Sequence, residues 1–502
     1  MDRRLFLALG STALLGRGLA GCGGGSSSTT PPPPPPPPPP PDYDWNALRA
    51  QLQGELLLPA DTDFARVRLV ANARYDAVSP AAVARCASAS DVAAALGFAQ
   101  QQKLAFTARS GGHSYLGASG GTGLVIDVGP MDGVQLAGEL ATVGAGAQLT
   151  DVYDALITAG RCIPSGSCVS VGIAGITLGG GVGVVDRAHG LSCDALVSAR
   201  VVTADGQQLD CSATDNADLF WALRGGGGGQ MGIVTSLTFQ THAVEGLTQF
   251  GASFPLADLP AVLAAWQDWP TTLPDSIWSQ LVLSGLGVYL WGIGIGDEAF
   301  VQPYWDDLLA RIGSTPDATD LRARTYRDVM LGTCASLTVA QCHLPSQDSE
   351  GRLRRAAMAA SSDYFDAPLD AAGIDALAQA VQQRRDSGRS GVVLLNLMGG
   401  AAGRVARDAT AFPHRAALFS AQYVAEYAPG TGAATIDEAA TWAHGMRTTM
   451  QAWSTGLAYV NYLDGLLENP AEAYFGANLA QLRAVKQRYD PAGVFKAVPA
   501  LG

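Results

Sequence analysis

Basic residues are scarce in this chain of 502 residues, and no long run of Lys and Arg occurs. Lys and Arg number 32 against 45 Asp and Glu, which gives a formal net charge of -13. Because nucleic-acid binding needs clustered positive charge, this composition argues against nucleic acid as a partner. Charged residues make up 15% of the chain and hydrophobic residues 48%, which predicts a well-buried protein. Its length is too great for a single core, so two or more domains are expected.

Several signals of ligand sites are missing as well. The Cys spacings do not match a structural zinc site, and no metal is predicted. Two glycine-rich segments, 178–183 and 224–229, fit neither the phosphate-loop pattern nor a strand–Gly-x-Gly-x-x-Gly–helix unit. By themselves they indicate only a backbone that can approach a ligand closely and offer N–H groups to phosphate oxygens. No internal repeat is present.

The N-terminus predicts export. Arg3-Arg4 precede an apolar stretch that ends at Leu15 and is too short for a permanent spanning helix. The twin arginine favours export in the folded state. Residues 19–22, Leu-Ala-Gly-Cys, resemble a bacterial lipobox in which Cys22 becomes lipidated, and the alternative is a simple cleaved signal. We therefore expect an exported bacterial protein, periplasmic or at the cell surface, with a lipid anchor that tethers it to a membrane.

A linker follows this signal. Residues 23–44 combine a Gly/Ser-rich stretch with an unbroken proline run over 31–41. Gly- and Ser-rich stretches form flexible linkers, whereas polyproline forms a stiff spacer of about 3 Å per residue. An exported location also permits disulfides, and Cys334 and Cys342 are close enough to close a small loop, although spacing does not prove pairing.

The rest of the chain has an α+β pattern. A short helical segment is expected within 45–70, and Thr150 is the expected cap of one helix. The predicted strands up to residue 243 are 82–86, 104–108, 123–127 and 141–143, and the predicted helices are 90–102 and 151–159. From 244 to 443 the character changes, with strands at 281–283 and 392–397, a helix at 375–385, and the Trp cluster Trp266, Trp269, Trp278 and Trp291. A final segment, 444–502, contains a helix that ends at Tyr489.

Two nucleophiles lie in glycine-rich turns of their own. His113 stands in Arg-Ser-Gly-Gly-His-Ser, which begins at Arg109, and Cys168 stands in Gly-Ser-Cys-Val-Ser-Val-Gly, which ends at Gly172. A nucleophile beside bare backbone is suited to attack a flat group that lies against that backbone. Two of them suggest one large, flat, phosphate-bearing cofactor held at two points.

These two stretches resemble those of the FAD-linked oxidases of the vanillyl-alcohol oxidase class, in the berberine-bridge-enzyme-like branch. The likeness continues through 194–234, with Asp-Leu-Phe-Trp-Ala-Leu-Arg and five Gly, and returns at Tyr-Val-Asn-Tyr-Leu-Asp from Tyr459. It implies a PCMH-type FAD-binding domain in two parts, 45–243 and 444–502. An α+β substrate domain built on an antiparallel sheet, 244–443, would be inserted between them.

The resemblance also implies a bicovalent FAD. In that branch the His bonds the flavin 8α-methyl carbon and the Cys bonds ring carbon 6. Alternatives are a His113 that only fills a polar turn and a Cys168 that is buried or joined to Cys162. The other expected cofactor-binding residues are Arg109, Ser110, Gly111, Gly112, Ser114, Val171, Gly172, Gly175, Gly179, Gly232, Val234 and Asn461.

Oxidation of an alcohol needs a base for the hydroxyl proton, and a tyrosine of lowered pKa suits that role. Tyr459 is the first candidate and Tyr462 the second, unless both are core aromatics. Gln422 and Tyr115 resemble residues of the family that face the substrate. The chain departs from the family pattern at Ile176, Val182 and Ser420, so its base network must differ.

The expected function is oxidation of an alcohol, on a sugar or a secondary metabolite, by hydride transfer to the flavin. Dioxygen would be the acceptor and hydrogen peroxide the product, because Val171 is small enough in this family to leave dioxygen room. A dehydrogenase that uses another acceptor is one alternative, and a tethered binding protein without turnover is another. The Trp cluster could stack a sugar or an aromatic polyketide.

Overall fold

The computed structural model describes residues 43–244, 246–497, 499 and 501. The export signal, Cys22 and nearly all of the linker lie outside the described residues. Within these residues, no helix combines the length and the apolar character that crossing a bilayer requires.

Strands in the first half of the chain build two main sheets. A four-stranded sheet has the order β1-β2-β4-β3 and a five-stranded sheet the order β5-β6-β10-β8-β9, while β7 pairs with β11. The predicted strands are confirmed as β2, β3, β4 and β6, with small shifts at their ends. The bounds are β1 (Glu55–Leu57), β2 (Ala82–Arg85), β3 (Phe106–Arg109), β4 (Leu124–Asp127), β5 (Val134–Ala137), β6 (Leu140–Gly144), β7 (Arg161–Cys162), β8 (Leu196–Val202), β9 (Gln208–Ser212), β10 (Ile233–Gln240) and β11 (His242–Ala243).

Short helices connect these strands and cover them. They are α1 (Trp45–Arg49), α2 (Phe64–Val67), α3 (Ala89–Gln101), α4 (Leu149–Thr158), α5 (Ile173–Leu178), α6 (Asp186–His189) and α7 (Ala217–Leu223). The segment 45–70 is interrupted by β1, so it is not helical throughout. The predicted cap was wrong, because α4 begins before Thr150. Its cap is Gln148, whose backbone N–H donates to the Asp151 carboxylate at 3.0 Å.

The middle of the chain forms one seven-stranded sheet in the order β15-β12-β14-β13-β17-β18-β16. Every pair of neighbours is antiparallel, as expected for this region. Its strands are β12 (Leu247–Phe254), β13 (Ile277–Ser284), β14 (Gly287–Ile295), β15 (Ala318–Arg324), β16 (Ala357–Phe365), β17 (Val392–Leu397) and β18 (Phe419–Tyr427). The remaining helices are α8 (Leu259–Asp268), α9 (Glu298–Ile312), α10 (Tyr326–Met330), α11 (Ala371–Asp386), α12 (Gly400–Arg404), α13 (Ala433–Met450), α14 (Pro470–Phe475) and α15 (Leu479–Tyr489).

The two faces of this sheet have different roles. Successive side chains of a strand point to opposite faces. In β13, Leu281 and Leu283 pack into a core that includes residues of α8, whereas Trp278 and Gln280 line a cavity on the other face. In β17, Leu395 belongs to that core and its neighbours Leu394 and Asn396 line the cavity. The sheet therefore separates an apolar core from a polar-lined cavity.

The C-terminal segment returns to the first half of the chain. The Lys486 ammonium group, on α15, donates to the carbonyl oxygens of Gln230 and Phe495, each at 2.7 Å. It also forms an ion pair with Asp490 at 2.6 Å. Because a buried ammonium needs partners, these contacts fix α15 against the segment that leads into β10.

Candidate active site

A cavity of about 680 Å³ lies between the glycine-rich turns and the antiparallel sheet. This size falls within the usual range for a ligand site. The cavity is lined by both nucleophiles, all four proposed catalytic side chains and every proposed cofactor-binding residue except Gly179. A Cβ atom on Gly179 would lie 2.1 Å from the Asn461 side chain, so Gly179 gives room for Asn461 and does not line the cavity.

The two glycine-rich turns cross in direct backbone contact. A Cβ atom on Gly111 would lie 2.2 Å from the backbone nitrogen of Gly172, and one on Gly172 would lie equally close to the nitrogen of Gly111. Only glycine at both positions permits this approach. The crossing brings the His113 turn and the Cys168 turn to the same wall of the cavity.

One hydroxyl lies beside both nucleophiles. The Ser170 hydroxyl oxygen is 3.0 Å from His113 Nε2 and 3.8 Å from Cys168 Sγ. Burial lowers the pKa of His113 to about 4, so its ring is neutral and one nitrogen can act as a nucleophile. The disulfide of the described residues joins Cys334 and Cys342, a pairing that their spacing allowed but did not prove, and Cys168 remains a thiol.

The Cys168 thiol is not held in its ionised form. Its side chain is accessible from the cavity but is surrounded by protein atoms, and this burial raises the pKa of the thiol. Hydrogen bonds from Ser170 act in the opposite direction without outweighing burial. The thiol therefore needs to lose its proton when it reacts.

Other parts of the cavity lining suit an anionic group. The Arg109 guanidinium pairs with Asp127 at 2.8 Å through Nη2, while its buried Nη1 has no hydrogen-bond partner among the described residues. The buried hydroxyl of Thr107 also lacks a partner there. Gly227 and Gly229, both of positive φ, present bare backbone to the same cavity. Unpaired buried donors and bare backbone fit a large phosphate-bearing cofactor such as FAD.

Tyr459 has an unusual set of hydrogen-bond donors. Its phenol oxygen accepts N–H groups from the backbone of Gly181 at 2.8 Å and Val182 at 3.3 Å, and from the side-chain amide of Asn461 at 2.9 Å. The same amide donates to the carbonyl of Ile176 at 3.0 Å, which fixes its orientation. Three donors around one oxygen favour the tyrosinate form.

Burial opposes the effect of these donors on the pKa of Tyr459. Tyr459 is 3% exposed, and desolvation raises its pKa to about 12 although all three N–H groups lower it. The lowered pKa expected of the base is therefore not found. Burial likewise raises the pKa of Tyr462.

The other two proposed catalytic residues are in contact with each other. The Gln422 amide nitrogen, on β18, donates to the Tyr115 hydroxyl at 2.7 Å. The Tyr462 ring packs edge-on against Tyr115 and Tyr459, with ring centroids 5.8 and 4.8 Å apart. All four side chains therefore lie beside the nucleophiles in one cavity.

Gln280 and Asn396 form a polar row that sequence reasoning missed. They are direct cross-strand partners, and the Gln280 amide donates to Asn396 Oδ1 at 2.6 Å. The row continues to Trp291, whose indole N–H donates to Gln280 at 2.8 Å, and to Ser420, 3.5 Å from the Asn396 amide. A polar residue at the cavity-facing position of an otherwise apolar strand was the signal that could have identified Asn396.

The Trp cluster divides between core and cavity. Trp266 and Trp269 are fully buried, and the Trp266 indole N–H donates to Ser279 behind the sheet. Neither can stack a substrate. Trp278 lines the cavity, whereas Trp291 contributes its N–H to the polar row.

Two family models match the chain. The FAD binding domain matches residues 80–212, which contain both nucleophiles. The berberine and berberine-like family matches residues 458–500, which contain Tyr459 and Tyr462.

Curated relatives cover nearly the whole chain. An uncharacterized FAD-linked oxidoreductase of Bacillus subtilis, YgaK, is 30% identical over 464 residues, which span 89% of this chain and 96% of the relative. A chitooligosaccharide oxidase of Gibberella zeae is 32% identical over 444 residues, 83% of this chain and 86% of the relative.

Solved structures share the fold. Physcomitrella patens BBE-like 1 matches with a TM-score of 0.83 and 28% identity, over 91% of this chain and 98% of that one. A glucooligosaccharide oxidase from Acremonium strictum matches with a TM-score of 0.80 and 26% identity over the same shares. The latter is described with a 6-S-cysteinyl, 8α-N1-histidyl FAD.

Proposed function

We propose that this chain is a sugar oxidase with a bicovalent flavin. It belongs to the berberine-bridge-enzyme-like family of FAD-linked oxidoreductases. It is an FAD-dependent enzyme that acts on CH–OH groups. His113 and Cys168 hold the flavin, an oligosaccharide is the substrate, and dioxygen is the acceptor, with hydrogen peroxide as product. The observation that carries the proposal is the single cavity shared by both nucleophiles, the tyrosine cluster and the polar row.

Two contacts support the covalent attachment. His113 Nε2 and Cys168 Sγ flank one hydroxyl, that of Ser170, so the two nucleophiles are held on one wall of the cavity. The similar glucooligosaccharide oxidase, whose FAD is described with the same pair of linkages, adds support. When bound, FAD supplies the acceptor for the hydride that leaves the substrate carbon.

Tyr459 is the proposed base. Its phenol oxygen takes the proton of the substrate hydroxyl when it is ionised, and the N–H groups of Gly181, Val182 and Asn461 stabilise this tyrosinate form. Tyr115 and Gln422 orient the substrate, because their hydrogen bond fixes both polar groups at the cavity wall. Val182 contributes its backbone N–H to the hydrogen bonds of the Tyr459 hydroxyl. Many members of the family carry a tyrosine at this position, whereas here the valine side chain has no polar group to contribute.

The polar row favours a sugar over an aromatic metabolite. Gln280 and Asn396 present two side-chain amides to the cavity, and such groups pair with sugar hydroxyls. Trp278 adds one aromatic surface. The chitooligosaccharide oxidase among the relatives supports the same choice.

Val171 supports dioxygen as the acceptor. It lines the cavity next to Gly172, where its small side chain leaves space beside the attachment turns. A dehydrogenase would reduce an artificial acceptor during turnover without consuming dioxygen.

The division of the chain is part of the proposal. We assign 45–243 and 444–502 to the FAD-binding domain and 244–443 to the substrate domain, with 1–22 as export signal and 23–44 as linker. The seven-stranded sheet within 244–443 and the Lys486 contacts to the first half support this division. Lipidation at Cys22 is tested by labelling cells with palmitate, with Cys22→Ala as the control that should lose the label.

The purified full-length protein is first precipitated with acid. We expect yellow colour in the pellet on peptides that contain His113 and Cys168. His113→Ala and Cys168→Ala should each keep one linkage, and the double variant should release all colour. Colour that leaves the wild-type protein on precipitation would contradict the covalent assignment.

Turnover is then measured with chito-, xylo- and glucooligosaccharides and with an aromatic alcohol as the comparison substrate. We expect flavin reduction by a sugar, with dioxygen consumption and hydrogen peroxide formation in equal molar amounts. Reduction without dioxygen consumption would identify a dehydrogenase. No reduction by any substrate would favour a binding protein.

A further inference from the structure

Gln347 joins the two attachment turns although it belongs to neither. Its side-chain amide nitrogen donates to the carbonyl oxygen of Gly111 at 2.8 Å and to that of Ser170 at 2.7 Å. Gly111 is in the His113 turn and Ser170 in the Cys168 turn. An amide nitrogen has two hydrogens, so each turn receives one of them.

The orientation of this amide is fixed from its other end. Gln347 Oε1 accepts the backbone N–H of Leu344 at 3.1 Å, and the backbone N–H of Gln347 donates to the Leu344 carbonyl at 2.9 Å. All polar atoms of the side chain therefore have partners. Such a side chain specifies one geometry, because any rotation leaves several groups unpaired.

The segment that carries Gln347 is itself anchored. The Cys334–Cys342 disulfide closes the loop before it. His343, next in the chain, lies 3.1 Å from the Asp151 carboxylate through Nε2, and the His343 carbonyl accepts the N–H of Leu353 at 2.9 Å. A segment that lies between the strands of the antiparallel sheet thus reaches across to both glycine-rich turns.

We propose that Gln347 is a positioning residue for covalent attachment of the flavin, which sets the spacing of the His113 and Cys168 turns so that both bonds form. This inference rests on the proposed function. Ser170 is the link, since Gln347 holds its carbonyl while its hydroxyl lies beside both His113 Nε2 and Cys168 Sγ. Without Gln347, the turns keep their backbone crossing and the His113–Ser170 hydrogen bond but lose both amide links, and the attachment geometry loosens.

Attachment is an oxidation at each site. Bond formation removes one hydrogen from the thiol or imidazole and one from the flavin carbon. Dioxygen takes up these two hydrogens, as two protons and two electrons, and becomes hydrogen peroxide. Each bond needs its nucleophile at one position on a rigid ring. If the distance between the two turns is wrong, one nucleophile can still reach its ring atom and form the first bond. The other nucleophile is then misplaced, so the second bond does not form.

The test counts flavin bonds in full-length protein produced with ample FAD. Gln347→Met keeps the side-chain volume and removes both donors, whereas Gln347→Asn keeps the amide and shortens its reach. Gln341→Ala is the matched control, because Gln341 lies in the same segment and, among the described residues, its side chain bonds to Thr338 and to neither attachment turn. Intact mass and peptide mapping give the fractions with zero, one and two bonds.

We expect wild type and Gln341→Ala to be bicovalent. In Gln347→Met and Gln347→Asn the bicovalent fraction should fall at least twofold in favour of singly bonded protein, at unchanged circular dichroism. A residue with only a structural role would lower yield and melting temperature without changing the ratio of single to double bonds.

Equal bicovalent fractions in whichever Gln347 variant folds would overturn this inference while leaving the proposed function intact. A wild-type protein without covalent flavin would instead overturn the proposed attachment itself. The midpoint potential of the bound flavin is a second readout, and it should shift in the variants only as the singly bonded fraction grows.

Discussion

The Nε2 atom of His113 lies 3.0 Å from the hydroxyl oxygen of Ser170. If Nε2 carries the ring proton and donates it to this hydroxyl, Nδ1 keeps its lone pair for attack. Ser170 would then select the reactive tautomer of a ring whose burial already keeps it neutral.

Ser170→Ala should slow attachment at His113. One hydrogen bond contributes about 1 kcal/mol, which corresponds to roughly a fivefold change in the tautomer ratio. We expect the rate of incorporation at His113, followed by mass spectrometry after FAD is added to apoprotein, to fall by about that factor. Ser167→Ala, beside Cys168 in the same turn, is the control and should behave as wild type.

Tyr459→Phe should keep the flavin and lose its reduction by substrate. General-base catalysis contributes about 10²–10⁴-fold, so anaerobic reduction measured by stopped flow should slow by that range. Tyr462→Phe keeps both edge-on ring contacts and should slow reduction by less than about tenfold. Equal losses in the two variants would contradict the choice of Tyr459.

The pH dependence of flavin reduction follows from the burial of Tyr459. Since burial raises the pKa of this phenol to about 12, the ionised fraction rises about tenfold per pH unit between pH 7 and pH 10. We expect kcat/KM for reduction to rise with the same slope, and the slope to vanish in Tyr459→Phe. A plateau that begins well below pH 10 in wild type would point to a different base.

Asn396→Ala should weaken sugar binding more than turnover. The side chain joins Gln280 to Ser420 across the sheet, and each lost hydrogen bond costs roughly 0.5–1.5 kcal/mol. We expect KM for an oligosaccharide to rise roughly 2- to 13-fold while the reduction rate at saturation stays within about twofold. An unchanged KM would show that the polar row does not touch the sugar.

The ion pair of His343 with Asp151 should make stability depend on pH. Burial alone lowers the pKa of His343, but the hydrogen bond and charge of Asp151, together with the carbonyls of Val339 and Ala340, outweigh it and raise the pKa. This contribution is fully present below the unfolded pKa of about 6.5 and is lost as the pH rises through the folded value.

Asp151→Asn tests this linkage. The amide oxygen can still accept the Gln148 N–H at the start of α4, so the helix cap is retained. We expect the melting temperature to fall more at pH 6 than at pH 8.5, by an amount equivalent to about 1 kcal/mol for a partly screened pair. A loss that is equal at both pH values would mean that the His343 charge does not contribute.

Much of the site could be predicted from local sequence. The stretches around His113 and Cys168 carry their glycines next to the nucleophile, so the requirement for bare backbone is visible in a few consecutive residues. The apolar, Val- and Leu-rich run of β17 likewise indicates a strand, and Asn396 is its single polar residue. The predicted cap of α4 was wrong, because the hydrogen bond between the Gln148 N–H and the Asp151 carboxylate makes Gln148 the cap instead of Thr150. The spacing of the residues alone does not show which of them caps the helix.

The pKa values of Tyr459 and Cys168 could not be predicted from the sequence. Tyr459 has its N–H donors, yet desolvation outweighs them, and the balance depends on how many atoms surround the ring. The same holds for Cys168, whose thiol is surrounded by protein at the wall of the cavity.

The sequence by itself determined the family, the α+β class, the two candidate nucleophiles and the candidate tyrosines, because the residues of each candidate site are written in short contiguous motifs and the fold class follows from the pattern of strands and helices. Only the tertiary structure decided that Gly111 and Gly172 cross, that Gln347 joins their turns, and that Gln280 and Asn396 face the same cavity as Tyr459. These relations connect residues tens to hundreds of positions apart. They depend on the packing of the sheet against the glycine-rich turns, for which no local pattern of residues carries a signal.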